Sequence, residues 1–322
     1  MLVSGKTRFA TINKAFGRTF RSGRLSLGLV VPIERYDQSA VPTMERHIER
    51  AQLADDLGFA ALWLRDVPFN VPSFGDAGQM FDPFVYLGAL AASTRRIALG
   101  TASIILPLRH PAHVAKAAAS ADHLSDGRLL LGVASGDRPQ EYPAMNMDFE
   151  TRAERFRDSL QYIRAMADTS PRVQTNHGMV SGIDMLPKPV GARLPILVTG
   201  SSRQAPDWIA ANSDGWITYP RAVTQQAQAV ANYRAATQDA GLGDKPVMQS
   251  LYIDLAEDDA EPPTPIHLGF RAGVRALGDY LGALEDIGVN HVALNLRFNK
   301  ARVEDTLNRL AETLLKRFSN GE

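Results

Sequence analysis

Residues 97–111 read IALGTASIILPLRHP. The stretch has the makings of a buried strand, with Ile97, Ala98, Leu99, Ile104 and Ile105 and no charge before Arg109. Inside it stands Gly100-Thr101-Ala102-Ser103, small and partly hydroxylated, and prolines flank Arg109 and His110 at its end. Small residues near the carboxyl end of a core strand have two readings. One is a bulge where a helix packs close; the other is a floor against which something flat and large lies. The residues that follow fix the setting. PAHVAKAAASADHLS (111–125) reads as a helix and GRLLLGVASGD (127–137) as a further apolar strand, so the stretch opens a strand–helix–strand unit of a parallel sheet.

The same alternation extends both ways. Upstream, RLSLGLVVP (24–32) is a strand, followed by a helix over 43–58 with Met44, Ile48, Ala51, Ala54 and Leu57 on one face and Gly58 as its stop. FAALWLRD (59–66) is the second strand, and the helix over 83–96 places Pro83 in its first turn. Downstream, a loop leads into a long amphipathic helix over 149–168. The segment 171–195, dense in proline and glycine, breaks the rhythm and reads as an inserted loop or hairpin. Strands then recur at PILVTG (195–200), GWITYP (215–220), PVMQSLYIDLAE (246–257) and VNHVALNLRF (289–298), each with a helix after it. Eight such pairs without a composition break predict an α/β fold, a (β/α)8 TIM barrel with insertions at its carboxyl-terminal face. An open doubly wound sheet is the alternative, and the count of eight favours closure. The expected division is a basic N-terminal arm over 1–24 and one barrel domain over 25–322. The arm carries Lys6, Arg8, Lys14, Arg18, Arg21 and Arg24 and no acid, while Phe9, Ile12, Phe16 and Phe20 fall at helical spacing. It is expected to pack on the body or on a partner subunit, the alternative being a solvated tail.

Composition narrows the function. Lysine plus arginine equals aspartate plus glutamate at 35 each, so overall charge favours neither nucleic acid nor an anionic membrane as partner. The chain has no cysteine, hence no disulfide, thiolate metal site or cysteine nucleophile, which fits a cytoplasmic protein. No apolar run approaches the roughly 18 residues of a membrane helix, and no apolar core follows the basic start as in a secretory signal.

In a barrel of this kind the active site lies at the carboxyl ends of the strands. Those positions are Asp66, Ala102-Ser103, Ser135-Gly136-Asp137, Gly200-Ser201-Ser202, Trp216 to Tyr219, Asp254 and Arg297. None of the seven histidines forms a ligand pair there, so no metal site is expected. No lysine ends a strand for Schiff-base chemistry, and no motif joins the three aspartates into a glycosidase pair. Strand ends made of Ala, Ser, Thr, Gly and Trp suit an apolar slot for a cofactor that brings its own reactivity. VTGSSRQAPDWIAA (198–211) adds glycine and two serines ahead of a helix, a pattern open to an anion site and equally to simple helix capping.

The stretch TRRIALGTASIILPLRHPAHVAKAAASADHLSDGRLLLGVASG (94–136) resembles the bacterial luciferase-like flavin-dependent monooxygenases, in the order and spacing of GT, a small pair, His-Pro, an Ala-rich helix and Ser-x-Gly-Arg before Leu-Gly-Val. ETRAERFRDSLQYI and LPILVTGSS are similar as well, so the likeness covers about residues 25–315. NKAFGRTFRSGRLSLGLVVPIE resembles a luciferase-type oxidoreductase subgroup. The resemblance implies a bulge with a non-prolyl cis peptide at Ala102-Ser103, against which a flavin ring rests. It implies phosphate contacts from Ser135 and Gly136, and from Gly200, Ser201 and Gln204; Thr199 and Ser202 beside them, and Trp216 on the strands opposite the bulge, are further candidates for binding the cofactor. Where luciferase has a phosphate-binding arginine this chain has Ser135, leaving Arg203 or Arg138 as substitutes. Luciferase's catalytic histidine corresponds to Asp66, so light emission is not expected. Asp66 and His110 are the candidate catalytic residues; as alternatives, Asp66 caps the following loop and His110 is a loop residue beside Pro111.

The resemblance thus implies an oxidoreductase, expected to be a monooxygenase that takes reduced FMN from a separate flavin reductase and uses O2 to oxygenate a small organic substrate. The alternatives are an F420-dependent hydride-transfer enzyme and a non-catalytic flavin-binding protein. A homodimer is expected. Residues 67–81, 137–149, 171–195 and 257–267 are the expected lids over the slot.

Overall fold

Eight parallel strands close on themselves in the computed structural model, which describes residues 9–318. They are β1 (Ser26–Val30), β2 (Ala61–Leu64), β3 (Ala98–Thr101), β4 (Leu129–Ala134), β5 (Ile196–Thr199), β6 (Gly215–Thr218), β7 (Val247–Leu255) and β8 (His291–Asn295). Each pairs with the next, and β8 closes on β1 through Ser26 opposite His291. Helices α2 (His47–Leu57), α3 (Pro83–Ser93), α4 (Pro111–Leu124), α5 (Arg152–Ala165), α6 (Pro206–Asn212), α7 (Val223–Asp239), α8 (Val274–Asp286) and α9 (Val303–Leu310) follow the strands, and α1 (Lys14–Thr19) precedes them. The predicted barrel is the observed one. No helix among the described residues is long and apolar enough to cross a membrane.

The period of two along each strand sorts the apolar residues into two layers. Leu27, Leu29, Leu62, Leu64, Leu99, Leu129, Leu131, Ile196 and Val198 face the helices. Val30, Ala61, Trp63, Ala98, Leu130, Leu197, Ile217, Met248 and Ala293 fill the barrel itself. Trp63 is fully buried there, and a Cβ on Gly100 would stand 2.4 Å from its ring. Gly100 is therefore small because the neighbouring strand carries a tryptophan. Trp63 Nε1 donates to His291 Nε2 at 2.8 Å. Indole can only donate, so His291 Nε2 is the acceptor and the ring's proton sits on Nδ1, directed at Ser26 Oγ 2.7 Å away. Ser26 in turn donates to the Thr19 carbonyl.

Residues 9–24 stand at the opposite end from the strand carboxyl termini. Asn13 caps α1 by accepting from Phe16 N and ties it to the body through Asp122 and the Leu129 carbonyl. Ile12, Phe16 and Phe20 are buried in the barrel-interior cluster of this same chain. The apolar side of the arm is used within the chain, so it gives no argument for a second subunit. Lys6 and Arg8 lie outside the described residues.

The segment 171–195 is not a lid. It forms a small hairpin, Val173–Thr175 with Gly178–Val180, then runs beside α4, where Asp122 accepts from Val190 N, before entering β5. The reason is topological: it joins the end of a helix to the start of a strand, and such connections lie away from the strand carboxyl ends. Residues 257–267 do follow a strand, but their hairpin (Thr264–Ile266 with Gly269–Ala272) pairs with the carboxyl end of β7 at Tyr252–Leu255, and none of its residues lines the cleft.

Candidate functional site

A cleft of about 560 Å³ opens at the carboxyl ends of the strands. Its floor is apolar: Val30 from β1, Ala102 after β3, Ile217 from β6, Met248 from β7 and Ala293 from β8. Each sits at an inward position of its strand, so the floor continues the barrel core upward. The Ala102–Ser103 peptide is cis, and the Ser103 hydroxyl hydrogen-bonds that of Thr199. One rim consists of Ser135, Gly136, Thr199, Gly200, Ser201 and Ser202 with the guanidiniums of Arg152 and Arg203. Gly136 has φ +76°, and a Cβ there would meet Ile105 Cγ2 at 2.8 Å, so the turn out of β4 requires glycine. The Tyr142 hydroxyl donates to the Ser135 carbonyl beneath it.

The structure brings Ala102, Ser103, Ser135, Gly136, Thr199, Gly200, Ser201 and Ser202 together around this space. Three other candidates stand elsewhere. Trp216 faces the helices, stacked on Tyr233 at 5.3 Å, because the inward position of β6 belongs to Ile217; its Nε1 donates to the Gly200 carbonyl from behind. Gln204 holds the rim loop to α5, donating to the Ala153 carbonyl and accepting from Arg157. His110 is the N-cap of α4, accepting from Ala112 N at 3.2 Å, and packs against His113, Tyr162 and His177 outside the cleft. Ser201 and Ser202 do not begin a helix: α6 starts at Pro206, and Gly200, Ser202 and Arg203 form a left-handed turn before it.

Asp66 borders the cleft but is tied down. Its Oδ1 accepts from Arg109 Nη2 at 2.7 Å, and its Oδ2 accepts from Arg109 Nε at 2.8 Å and from Ile105 N at 3.1 Å. Its side chain is 1% exposed. Arg109 also pairs with Asp82, the N-cap of α3. Burial works against the charge on Arg109, but the two carboxylates outweigh it and raise its pKa. Asp66 thereby fixes the chain just beyond Ala102-Ser103. Asp254 is likewise engaged, with Arg271 and Lys300 N.

Several cleft residues were not singled out in the sequence. Arg65, Glu141, Arg152, Ser250, Tyr252 and Asn295 all line it. The alternation along β7 and β8 carries the signal for three of them: Met248, Ser250 and Tyr252 share one face, as do Ala293 and Asn295. Arg65 donates to Asp76 at 2.8 Å and to the Tyr36 hydroxyl at 2.7 Å. Burial opposes the charge of Asp76, but Arg65 and Arg297 hold its carboxyl below the usual range. Burial pushes the Glu141 carboxyl up, with Arg138 opposing, and pushes the Tyr252 phenol up as well.

Residues 25–306 match the family model described as luciferase-like monooxygenase. An uncharacterized protein of Mycobacterium tuberculosis is 32% identical over 226 residues, covering 62% of this chain and 80% of that one. An F420-dependent hydroxymycolic acid dehydrogenase of the same organism is 29% identical over 201 residues (61% of this chain, 55% of the relative). The oxygenase component of a flavin-dependent trigonelline monooxygenase from Acinetobacter baylyi is 31% identical over 144 residues (44% and 39%). The chain thus spans about half or less of these two enzymes' length. Among solved structures, a monooxygenase from Streptomyces bottropensis superposes with a TM-score of 0.73 at 22% identity, over 91% of this chain and 99% of that one, a likeness of fold. With the family model running from the first strand into the last helix, the chain belongs to the luciferase-like monooxygenases.

Proposed function

We propose that the protein is the oxygenase component of a two-component monooxygenase, taking reduced FMN from a separate flavin reductase and using O2 to oxygenate a small organic substrate. The observation that carries this is the cleft itself, an apolar floor beside a hydroxyl- and arginine-bearing rim, with one of its carboxylates, Asp66, already committed to Arg109. The residues present fit a flavin. The volume lies within the range of cofactor sites, about 300–1,000 Å³, and the Ala102-Ser103 backbone offers a flat ring close approach. Ser135, Gly136, Thr199, Gly200, Ser201 and Ser202, with Arg152 and Arg203, would hold the phosphate by hydroxyls and charge. Reduced flavin, when bound, supplies the electrons that activate oxygen. The chain's part is to hold the ring against the bulge, exclude water with the apolar floor, and place the substrate over it. The similarity to an oxygenase component supports the reductase partner.

A second reading, hydride transfer with F420, is favoured by the longer match to an F420-dependent dehydrogenase. Titration of the purified protein with FMN, riboflavin and F420 tests both. The first reading expects FMN to bind more tightly than riboflavin and, with a reductase, FMN and NADH present, the time course of oxygen consumption to change from that of the reductase alone. Binding of F420 alone would overturn it in favour of the second.

A further inference from the structure

Five buried side-chain polar atoms among the described residues have no hydrogen-bond partner, and four of them gather at one end of the cleft. Arg65 Nε, Arg138 Nη1 and Glu141 Oε1 belong to residues that line it, and Arg297 Nε to the layer behind. A buried guanidinium N–H without an acceptor is costly, and proteins keep one chiefly where a water or ligand completes it. The three guanidiniums converge on a single short segment. Arg65 Nη1 and Arg297 Nη1 reach Asp76 at 2.8 and 2.9 Å, Arg297 Nη2 donates to the Gly75 carbonyl at 2.8 Å, and Arg138 Nη2 donates to the Asp76 carbonyl at 3.0 Å. Among the described residues Asp76 is the carboxylate paired with Arg65 and Arg297, while Arg138 reaches only its backbone carbonyl. Glu141 is the other acid beside Arg138; burial pushes its carboxyl up and Arg138 opposes that.

Arg138 is the sharpest case. It is 8% exposed, its Nη1 has no acceptor, and the Phe74 ring lies 4.1 Å from its guanidinium carbon. Phe74 and Tyr252 also line the cleft, so flat apolar surface adjoins the buried, unpartnered N–H groups. This end is built from the loops after β2 and β4 and from β7; the hydroxyl-rich rim around Thr199 and Ser201 is built from β4 and β5.

We propose that the Arg65–Arg138 corner receives the carboxylate of the substrate, so that the substrate class is an organic acid with a flat apolar body. This rests on the reading of the cleft as a flavin site, with the phosphate held by the Ser135, Thr199 and Ser201 rim. Benzoate and benzamide, equal in shape and different in charge, are the test ligands for the full-length protein. Binding is read by the shift in melting temperature without flavin and by the perturbed visible spectrum of bound oxidised FMN. Benzoate should bind saturably, benzamide on the order of tenfold or more weaker, and Arg138→Gln should weaken benzoate on the order of 30-fold while leaving the FMN-to-riboflavin affinity ratio unchanged. Equal binding of the two ligands, or no saturation by benzoate, overturns the proposal. Selective loss of FMN over riboflavin in Arg138→Gln would make the corner the phosphate site and also overturn it, with the flavin reading intact. If no flavin binds, that reading fails, and the melting shift of the flavin-free protein still decides the corner. Should Arg138→Gln not fold, the wild-type benzoate–benzamide comparison alone decides.

Discussion

Replacing Asp66 by asparagine changes one charge and almost no volume, and the structure says where the loss falls. The carboxylate accepts two bonds from Arg109 and one from Ile105 N. An asparagine keeps one acceptor oxygen and turns an N–H₂ toward groups that can only donate. Removing one partner of a fully buried pair costs about 3–5 kcal/mol, and an exposed pair is worth about 0–1 kcal/mol. Asp66 is buried, but Arg109 is 24% exposed and keeps Asp82, so the expected cost is intermediate. We expect a loss of about 2–3 kcal/mol in urea unfolding, which for a chain of 322 residues is a melting shift of about 3–4 °C. Flavin affinity should fall modestly, since Ile105 and the bulge lose their anchor. Turnover should fall no further than flavin occupancy does. A rate loss of about 10²–10⁴ with unchanged melting temperature would make Asp66 a proton-transfer group and refute the anchoring role.

Gly100→Ala should cost about 1–3 kcal/mol through its clash with Trp63, and Trp63→Phe added to it should recover part of that loss. His291 gives a pH dependence. Burial pushes its imidazole down to about 3, against 6.5 for the ordinary group, so between those values the unfolded chain binds a proton that the folded one does not. That contribution to stability is fully present above pH 6.5 and is lost as pH falls, by about 2 kcal/mol at pH 5 and about 4–5 kcal/mol at pH 3. Nitrogen-15 spectra should show His291 neutral, protonated on Nδ1, at pH 5; a charged ring there contradicts the assignment. Ser201→Asp should weaken FMN by one to two orders of magnitude, a rough figure for a like charge beside a phosphate, and should barely affect riboflavin. Equal losses for both would move the phosphate away from Ser201.

The barrel was legible because its rule is local: each strand is apolar on both faces and each helix follows with a stop, so eight repeats announce eight units. The rim was legible where the chain turns at the end of a strand, at Ser135-Gly136 and Gly200-Ser201. Side-chain direction was harder. Trp216 and Ile217 are adjacent in an apolar strand, and only the register of β6 against β5 and β7 decides which faces inward. His110 sits next to a cleft-forming segment, yet the turn into α4 carries it out to cap that helix. Gly100 showed the limit most clearly. Its smallness serves Trp63, 37 residues earlier in the chain, while the equally small Ala102 and Ser103 serve the cleft. Arg65 and Arg138 could not be paired from sequence, since what joins them is Asp76, in a loop between the two.

The charges at the cleft differ in balance from those of the whole chain, which has no net charge. Four guanidiniums line the cleft, those of Arg65, Arg138, Arg152 and Arg203, with three carboxyls, those of Asp66, Asp137 and Glu141. Asp66 is paired with Arg109 and Arg65 with Asp76, Asp137 and Arg203 are both exposed and screened by solvent, and burial pushes the Glu141 carboxyl up. The buried guanidinium of Arg138, with an unpartnered Nη1, is the charge least offset, and low-dielectric walls strengthen its field. The arginines come from different stretches of the chain, Arg152 and Arg203 from the start of α5 and the turn after β5, and Arg65 and Arg138 from the loops after β2 and β4. Two groups of cations beside one apolar floor are what the proposed pairing of a phosphate-bearing cofactor with an acidic substrate calls for.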